Sequence, residues 1–324
     1  MLNRFNPFSR PREAGLDLGS HSIRWAVATP DGRGVESVSS MRILGQRNSM
    51  QDPVPEEFFR DRVVALLREL PPGVRNLRAA LQGSGTAYGY LEFPHLSDSE
   101  LEIAAQAEAQ QWVPFAPADF RLSCTRVPPL QRDGSAVFYA AARKDEIRKL
   151  RELLAMAGCS ASRIEVPPIA LAREFEHNHR PPEDQIFALV HVGFSLTHLV
   201  LVRNGFPYFA RDFRPAARDL LYALQMGEGI PWEQAERQLA DSDSFSLEPP
   251  LERLTTAVRR SLDSFGEGVP VRAVYLSGGG ACQALRTRLE CELGIPVQLE
   301  EWERLWCEGE PGLFAIAVGL AVER

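Results

Sequence analysis

One short pattern occurs twice, and it constrains the fold more than any other feature of the chain. Leu16-Asp17-Leu18-Gly19-Ser20-His21-Ser22 returns, loosely, as Val190-His191-Val192-Gly193-Phe194-Ser195-Leu196. Each copy is an apolar run, a glycine and a small polar turn. A second apolar run follows, Ile23 to Ala28 in the first copy and Thr197 to Val202 in the second. Apolar runs on both sides of such a turn predict a β-hairpin. The N–H groups and hydroxyls of its turn make a concave donor set suited to phosphate. Two hairpins facing each other would clamp a phosphate chain. The copies differ at Asp17 and His191: the first carries a carboxylate able to hold a metal, the second an imidazole.

A chain of 324 residues suits two lobes or several subdomains rather than one small core. Its formal net charge of -7 argues against nucleic-acid binding through a broad basic field. The five cysteines (Cys124, Cys159, Cys282, Cys291 and Cys307) are scattered without a CxxC, which reads as a reduced protein lacking a zinc site. The longest uncharged apolar run near the end, Leu313 to Val322, is ten residues, where a membrane-spanning helix needs about 20. Residues Met1 to Glu13 carry arginines with Phe5 and Phe8 but no continuous apolar stretch, and read as a tail rather than a signal peptide.

Helical spacing of Phe59, Val63, Leu66, Leu67 and Leu70, closed by Pro71-Pro72-Gly73, predicts an amphipathic helix. Ala79-Ala80-Leu81 reads as a short strand. Residues 83–162 differ in texture: a helix from Ser99 to Trp112, strand-like runs Phe120 to Val127 and Ala136 to Ala142, and a helix from Lys144 to Ala157. This is a candidate inserted subdomain. The second hairpin is split by Asn204-Gly205, a strong turn signal. Residues 215–265 read as mostly helical, and Val271 to Leu276 as a buried strand running into Ser277-Gly278-Gly279-Gly280-Ala281 and then a helix stopped by Gly294. Alternating strands and helices in two halves imply a duplicated α/β protein.

Hairpin, second hairpin and strand–Gly-Gly-Gly–helix follow the order of the actin-like (ribonuclease H-like) ATPase fold. Within it, Ala107 to Phe115 (AEAQQWVPF), Ala140 to Lys144, Pro168 to Arg173, Leu276 to Ala281 and Ala315 to Ala321 resemble the PilM family of type IV pilus assembly. The collinear set runs from residue 14 to the end. The resemblance implies subdomain 1A from residues 14–82 with 163–185 and 305–324, an inserted 1C at 83–162, 2A from 186–212 with 266–304, and 2B at 213–265, after a tail at 1–13. It further implies a cytoplasmic protein, peripheral at the inner membrane, that holds the N-terminal cytoplasmic tail of a PilN-like protein in a 1A/1C groove. It would link that membrane complex to the pilus motor ATPases and platform protein.

The first turn, Asp17, Gly19, Ser20, His21 and Ser22, matches the family's first phosphate loop; Gly193 and Ser195 belong to the second, and Gly278, Gly279 and Gly280 to the adenosine-binding turn. A glycine turn also suits a plain hairpin, and the triplet a plain strand-to-helix connection. The resemblance implies ATP with Mg²⁺ as cofactor, with Asp17 as the metal-side carboxylate. Three departures weaken that: His191 stands where an aspartate is expected, Ala216 and Ala217 where paired glycines are expected, and the helix from Trp232 to Ala240 lacks its usual lysine. Magnesium wants hard oxygen ligands, which imidazole does not supply. Trp112, Pro114 and Phe115 are the candidate partner-binding residues, with packing inside the insert as their plain alternative. The sequence therefore reads as a scaffold with a degenerate or weak ATP cleft rather than an enzyme. The alternative is an actin-like ATPase cycling on Mg-ATP in the same machine or in a related secretion or competence system.

Overall fold

The computed structural model describes residues 12–32, 34–43, 55–130, 133–265, 270–303 and 311–322. Most of the tail at 1–13, with Phe5 and Phe8, and also Cys307, lie outside them. The first apolar pair forms β1 (Glu13–Leu18) and β2 (Ser22–Ala28), antiparallel, with β3 (Val35–Arg42) added beyond β2. Helix α1 (Glu56–Arg68) buries Val63, Leu66 and Leu67 as its spacing requires, and ends before the Pro-Pro-Gly stop. Strand β4 (Asn76–Ala80) lies parallel to β1. Next come β5 (Thr86–Phe93), α2 (Asp98–Trp112), β6 (Phe120–Val127), β7 (Ser135–Arg143), α3 (Lys144–Met156), β8 (Ser160–Glu165) and α4 (Pro167–His179). The second half contributes β9 (Ile186–Val192), β10 (Thr197–Arg203), β11 (Phe206–Phe213), α5 (Ala217–Glu228), α6 (Trp232–Gln238) and α7 (Glu248–Phe265). It ends with β12 (Val271–Ser277), α8 (Gln283–Leu293), β13 (Val297–Leu299) and α9 (Pro311–Ala321).

The duplication is topological. One sheet runs β3-β2-β1-β4-β8 and the other β11-β10-β9-β12-β13, so each strand of the first sheet has a counterpart in the second. The turn between β10 and β11 is made by Asn204 and Gly205, both at positive φ (53° and 66°), the conformation an Asn-Gly hairpin supplies at low cost.

A third sheet, β5-β7-β6, carries α2 on one face. Strands β3, β5, β8 and β13 went unread in the sequence. Strand β5 is interrupted by Gly89, where an added Cβ would come within 2.8 Å of the Tyr139 ring. Strand β8 (SASRIE) is a polar edge strand with no apolar run to betray it. Packing also divides the stretch 83–162: α3 turns Leu150 and Leu154 into the core of the first sheet beside Leu66 and Leu67, and β8 pairs with β4.

Helices α4 and α9 lie between the two large sheets and join them in one core, in which Leu171, Phe175, Ile316 and Leu320 meet Phe187, Leu189 and Val200. Close approach there depends on missing side chains: a Cβ on Gly15 of β1 would meet the Ala317 carbonyl at 1.9 Å, and one on Gly319 the Ala170 carbonyl at 1.9 Å.

Candidate functional site

The two repeated turns face each other at the mouth of the cleft between the lobes. Gly19 and Gly193 play the same part in each copy: an added Cβ would fall 2.6 Å from the Ser22 carbonyl in one and 2.8 Å from the Leu196 carbonyl in the other. Tips of the turns touch, because the Ser20 and Ser195 hydroxyls are hydrogen-bonded at 2.6 Å. Beside them the His21 ring stacks on Phe194, 4.7 Å between centroids, with Trp232 edge-on to both. Glu236 of α6 closes the cluster across the lobes. It lies 2.6 Å from His21 Nε2 and 2.7 Å from Arg42 Nη1, and accepts from Trp232 Nε1 at 2.8 Å. Burial raises the Glu236 pKa, but His21 and Arg42 outweigh it and hold the carboxyl below its ordinary value.

Under the turns lies a quartet that follows from the repeat, with Asp17, His191 and His198 buried and Arg24 partly so. Asp17 pairs across strands with Arg24, and at the equivalent register His191 pairs with His198. Arg24 Nη1 is 3.6 Å from Asp17 Oδ2. Asp17 Oδ1 is buried without a hydrogen-bond partner, and burial raises the pKa of this carboxyl despite Arg24 and His198. Burial, with His198 and Arg24 nearby, holds His191 well below the usual histidine range, so it is a neutral imidazole; its Nδ1 is 2.9 Å from Ser277 Oγ. His198 continues the network, with Nδ1 2.6 Å from Asp212 Oδ1 and Nε2 3.2 Å from Gln82 Oε1. Tyr88 of β5 donates to the same Asp212 carboxylate. Polar contacts thus run from His198 through Asp212 to Tyr88 of the third sheet.

The glycine triplet is used for packing. A Cβ on Gly278 would strike the Val192 carbonyl at 2.5 Å, and one on Gly280 would meet Val192 and Ala217 side chains at 2.5 and 2.8 Å; only Gly279 has room. Gly280 N–H donates to the Val192 carbonyl and Gly278 N–H to the Gly312 carbonyl. A helix N-terminus offers free N–H donors to an anion, but here Ala217 and Arg218 N–H donate to the Gly193 and Phe194 carbonyls, and Ala216 N–H to Asp219.

These residues do not fit a magnesium nucleotide. The Ser20 and Ser195 hydroxyls bond one another, the N–H groups of Gly278, Gly280 and the start of α5 are engaged, and a neutral imidazole stands at the second carboxylate's place. A guanidinium already stands beside Asp17. Among the described residues no group of His, Cys, Asp and Glu is arranged to hold a metal.

A groove lies elsewhere. Two adjoining depressions of about 400 and 580 Å³ share Arg121, Ile147, Arg163 and Ile164. Their roof is the face of β6 and β7 opposite α2, with Phe138 and Ala140; one wall is β8, the floor is α4 with Ile169 and Arg173, and the Gly205-Phe206-Pro207 turn closes one end. Arg173 is fully engaged, donating to both Glu165 oxygens at 3.0 and 3.1 Å and to the Gly319 carbonyl at 2.7 Å. Arg121 and Arg151 have no ion-pair partner among the described residues.

Comparison with known proteins now adds a family. A profile described as "Type IV pilus assembly protein PilM" matches residues 15–305. The chain belongs to the PilM family. Among solved structures it is similar to a PilM-PilN type IV pilus biogenesis complex, at TM-score 0.78 and 24% identity, covering 95% of this chain and 97% of that one. It shares its fold with ethanolamine utilization protein EutJ from Carboxydothermus hydrogenoformans (TM-score 0.56, 16% identity, 98% and 91% covered). It also shares it with an MreB of Spiroplasma citri bound to ADP (0.54, 11%, 96% and 95%). The fold is therefore that of the actin-like ATPases.

In this PilM-family chain the structure brings Asp17, Ser20, His21, His191 and Ser195 to one cleft, with Ser22 buried at its edge. Trp112, Pro114 and Phe115 do not line the groove. Trp112 is the last residue of α2 and the other two follow it; Phe115 packs on Phe120 and under Arg143, and Trp112 is 64% exposed with its Nε1 donating to Glu108. Sequence reasoning missed Arg24, His198, Glu236 and the groove arginines. Aligning the repeat would have found the first two, since each sits seven positions after its partner (17 to 24, 191 to 198).

Proposed function

We propose that this PilM-family chain is a scaffold of type IV pilus assembly whose groove between the third sheet and the first lobe holds the extended cytoplasmic tail of a PilN-type inner-membrane protein. Its cleft works shut, without a nucleotide cycle. The Ser20–Ser195 bond carries the reading: the turns that would grip a phosphate grip each other, while the groove stays open. On this reading the protein sits at the cytoplasmic face of the inner membrane, with 1A, 2A and 2B divided as the resemblance implies and 1C reduced to the third sheet with α2, since α3 and β8 pack with the first sheet. The exposed Trp112, with Pro114 and Phe115, is then a second contact, offered to the motor ATPases or platform protein. Titration calorimetry with a synthetic peptide of the tail should give measurable association, and its absence would remove the reading.

One observation favours a nucleotide cycle instead. Asp17 Oδ1 is a buried acceptor with no partner, as a magnesium-linked oxygen would be. ATP with Mg²⁺ at 100 times Kd stabilises a binder by about 2.7 kcal/mol. A flat thermal melt with Mg-ATP is expected here, and a rise of that size would favour the cycling ATPase.

A further inference from the structure

The groove has a wall of unusual kind: it is the bare edge of a sheet. β8 ends the order β3-β2-β1-β4-β8 and, among the described residues, pairs with β4 alone. Four consecutive β8 residues, Ala161 to Ile164, line the smaller depression, as happens when a strand is met along its edge. The Glu165 carbonyl accepts from Leu81 N–H at 2.9 Å, on the β4 side. Main-chain groups alternate in direction along a strand, so Ile164 presents its N–H and C=O to the groove.

We propose, on the tail-binding reading above, that the partner's tail docks by strand addition to β8, becoming the sixth strand of the first sheet. An extended peptide gains affinity from main-chain bonds and specificity from pockets for alternate side chains. Apolar residues at alternate positions meet Phe138, Ala140 and Ile147. The rim selects charge. Arg121, Arg151 and Arg163 stand around the groove, and the one carboxylate lining it among the described residues, Glu165, is already bonded by Arg173 and lies 3.5 Å from Arg163 Nη1, so that Arg121 and Arg151 carry the unpaired charge. The tail therefore carries an acidic side chain against these arginines. The competing edge is β6, the other open strand beside the groove. There the Lys144 N–H to Asp119 carbonyl bond sets the phase and turns Leu122 and Cys124 outward.

The test is amide hydrogen exchange on the full chain with a synthetic peptide of the PilN-type tail from the same organism. Binding should slow exchange at Ile164 at least tenfold and leave Leu122 and Cys124 unchanged. Ile164→Pro deletes the outward donor but no β4 bond, and should weaken binding about tenfold. N-methylation of the peptide leaves the protein untouched: blocking alternate residues in one phase should abolish binding, and in the other spare it. Arg121→Glu with Arg163→Glu should weaken binding further at low salt than at high salt. Tight binding without protection at Ile164, protection at Leu122 and Cys124 instead, or indifference to N-methylation phase would overturn strand addition alone. No association with the unmodified peptide would overturn the tail-binding reading with it.

Discussion

Glu174 is a carboxyl group where none is comfortable. It is 2% exposed on α4, its Oε1 has no hydrogen-bond partner, and burial, with the Glu300 charge near it, keeps the proton on well above the usual carboxylate range. Its folded pKa exceeds the unfolded 4.5, so the unfolded chain releases the proton first and stability falls as pH climbs from 4.5 toward the folded value. Glu174→Gln should raise stability by about 1 kcal/mol at pH 7, and the gain should vanish below pH 4.5; urea unfolding at pH 4 and 7 reads both. His179, one turn on, behaves oppositely in cause. Burial lowers its pKa, but Glu300 at 2.6 Å and Glu303 at 3.0 Å outweigh that and raise it. A raised histidine gives stability that is complete below the unfolded 6.5 and lost as pH rises through the folded pKa. The deficit of His179→Gln against the parent chain should therefore be larger at pH 6 than at pH 8.5.

Among elements, α9 is the most constrained, since it meets β1 at Gly15 and α4 at Gly319 with carbonyls where side chains would be. Gly319→Ala drives a methyl into the Ala170 carbonyl and should cost about 1–3 kcal/mol, read as a lower urea midpoint at unchanged slope; a neutral result would mean that α4 and α9 separate easily. Such elements explain what the sequence disclosed. Strands with both faces buried, such as β9 and β10, announce themselves by continuous apolar runs, and α1 by its spacing and proline stop. The repeated glycine turns located the cleft, because Gly19 and Gly193 meet the same carbonyl in each copy. What stayed hidden has a physical reason. β8 is polar because it is an edge, and the groove it borders is assembled from strands far apart in sequence. Trp112 stands out in the sequence as a partner-binding candidate, yet no local pattern tells which face of a sheet will look onto a groove.

At the scale of the molecule, the lobes are joined by the shared core around α4 and α9 and by the latch at the cleft mouth, with His198–Gln82 and Tyr88–Asp212 bonds between them. The first is apolar and broad. The second rests on Glu236, which bridges His21 and Arg42 of one lobe to Trp232 of its own. A depressed carboxyl contributes stability that is present above the unfolded 4.5 and lost as pH falls through the folded value, so the latch loosens in acid while the core persists. Glu236→Ala separates the two. Losing charged hydrogen bonds of this kind should cost about 1.5–3 kcal/mol, yet the radius of gyration in solution scattering should not change, because the core still joins the sheets. Local opening should show instead as faster amide exchange at Ser20, Phe194 and Ser195. Adding Mg-ATP to the unlatched variant then asks whether a competent site lay beneath. The engaged donors of α5, Gly278 and Gly280 and the neutral His191 remain after unlatching, so no thermal stabilisation is expected. If Glu236→Ala gains Mg-ATP stabilisation that the parent chain lacks, the latch is a gate over a working nucleotide site, and a scaffold with a permanently shut cleft is the wrong description.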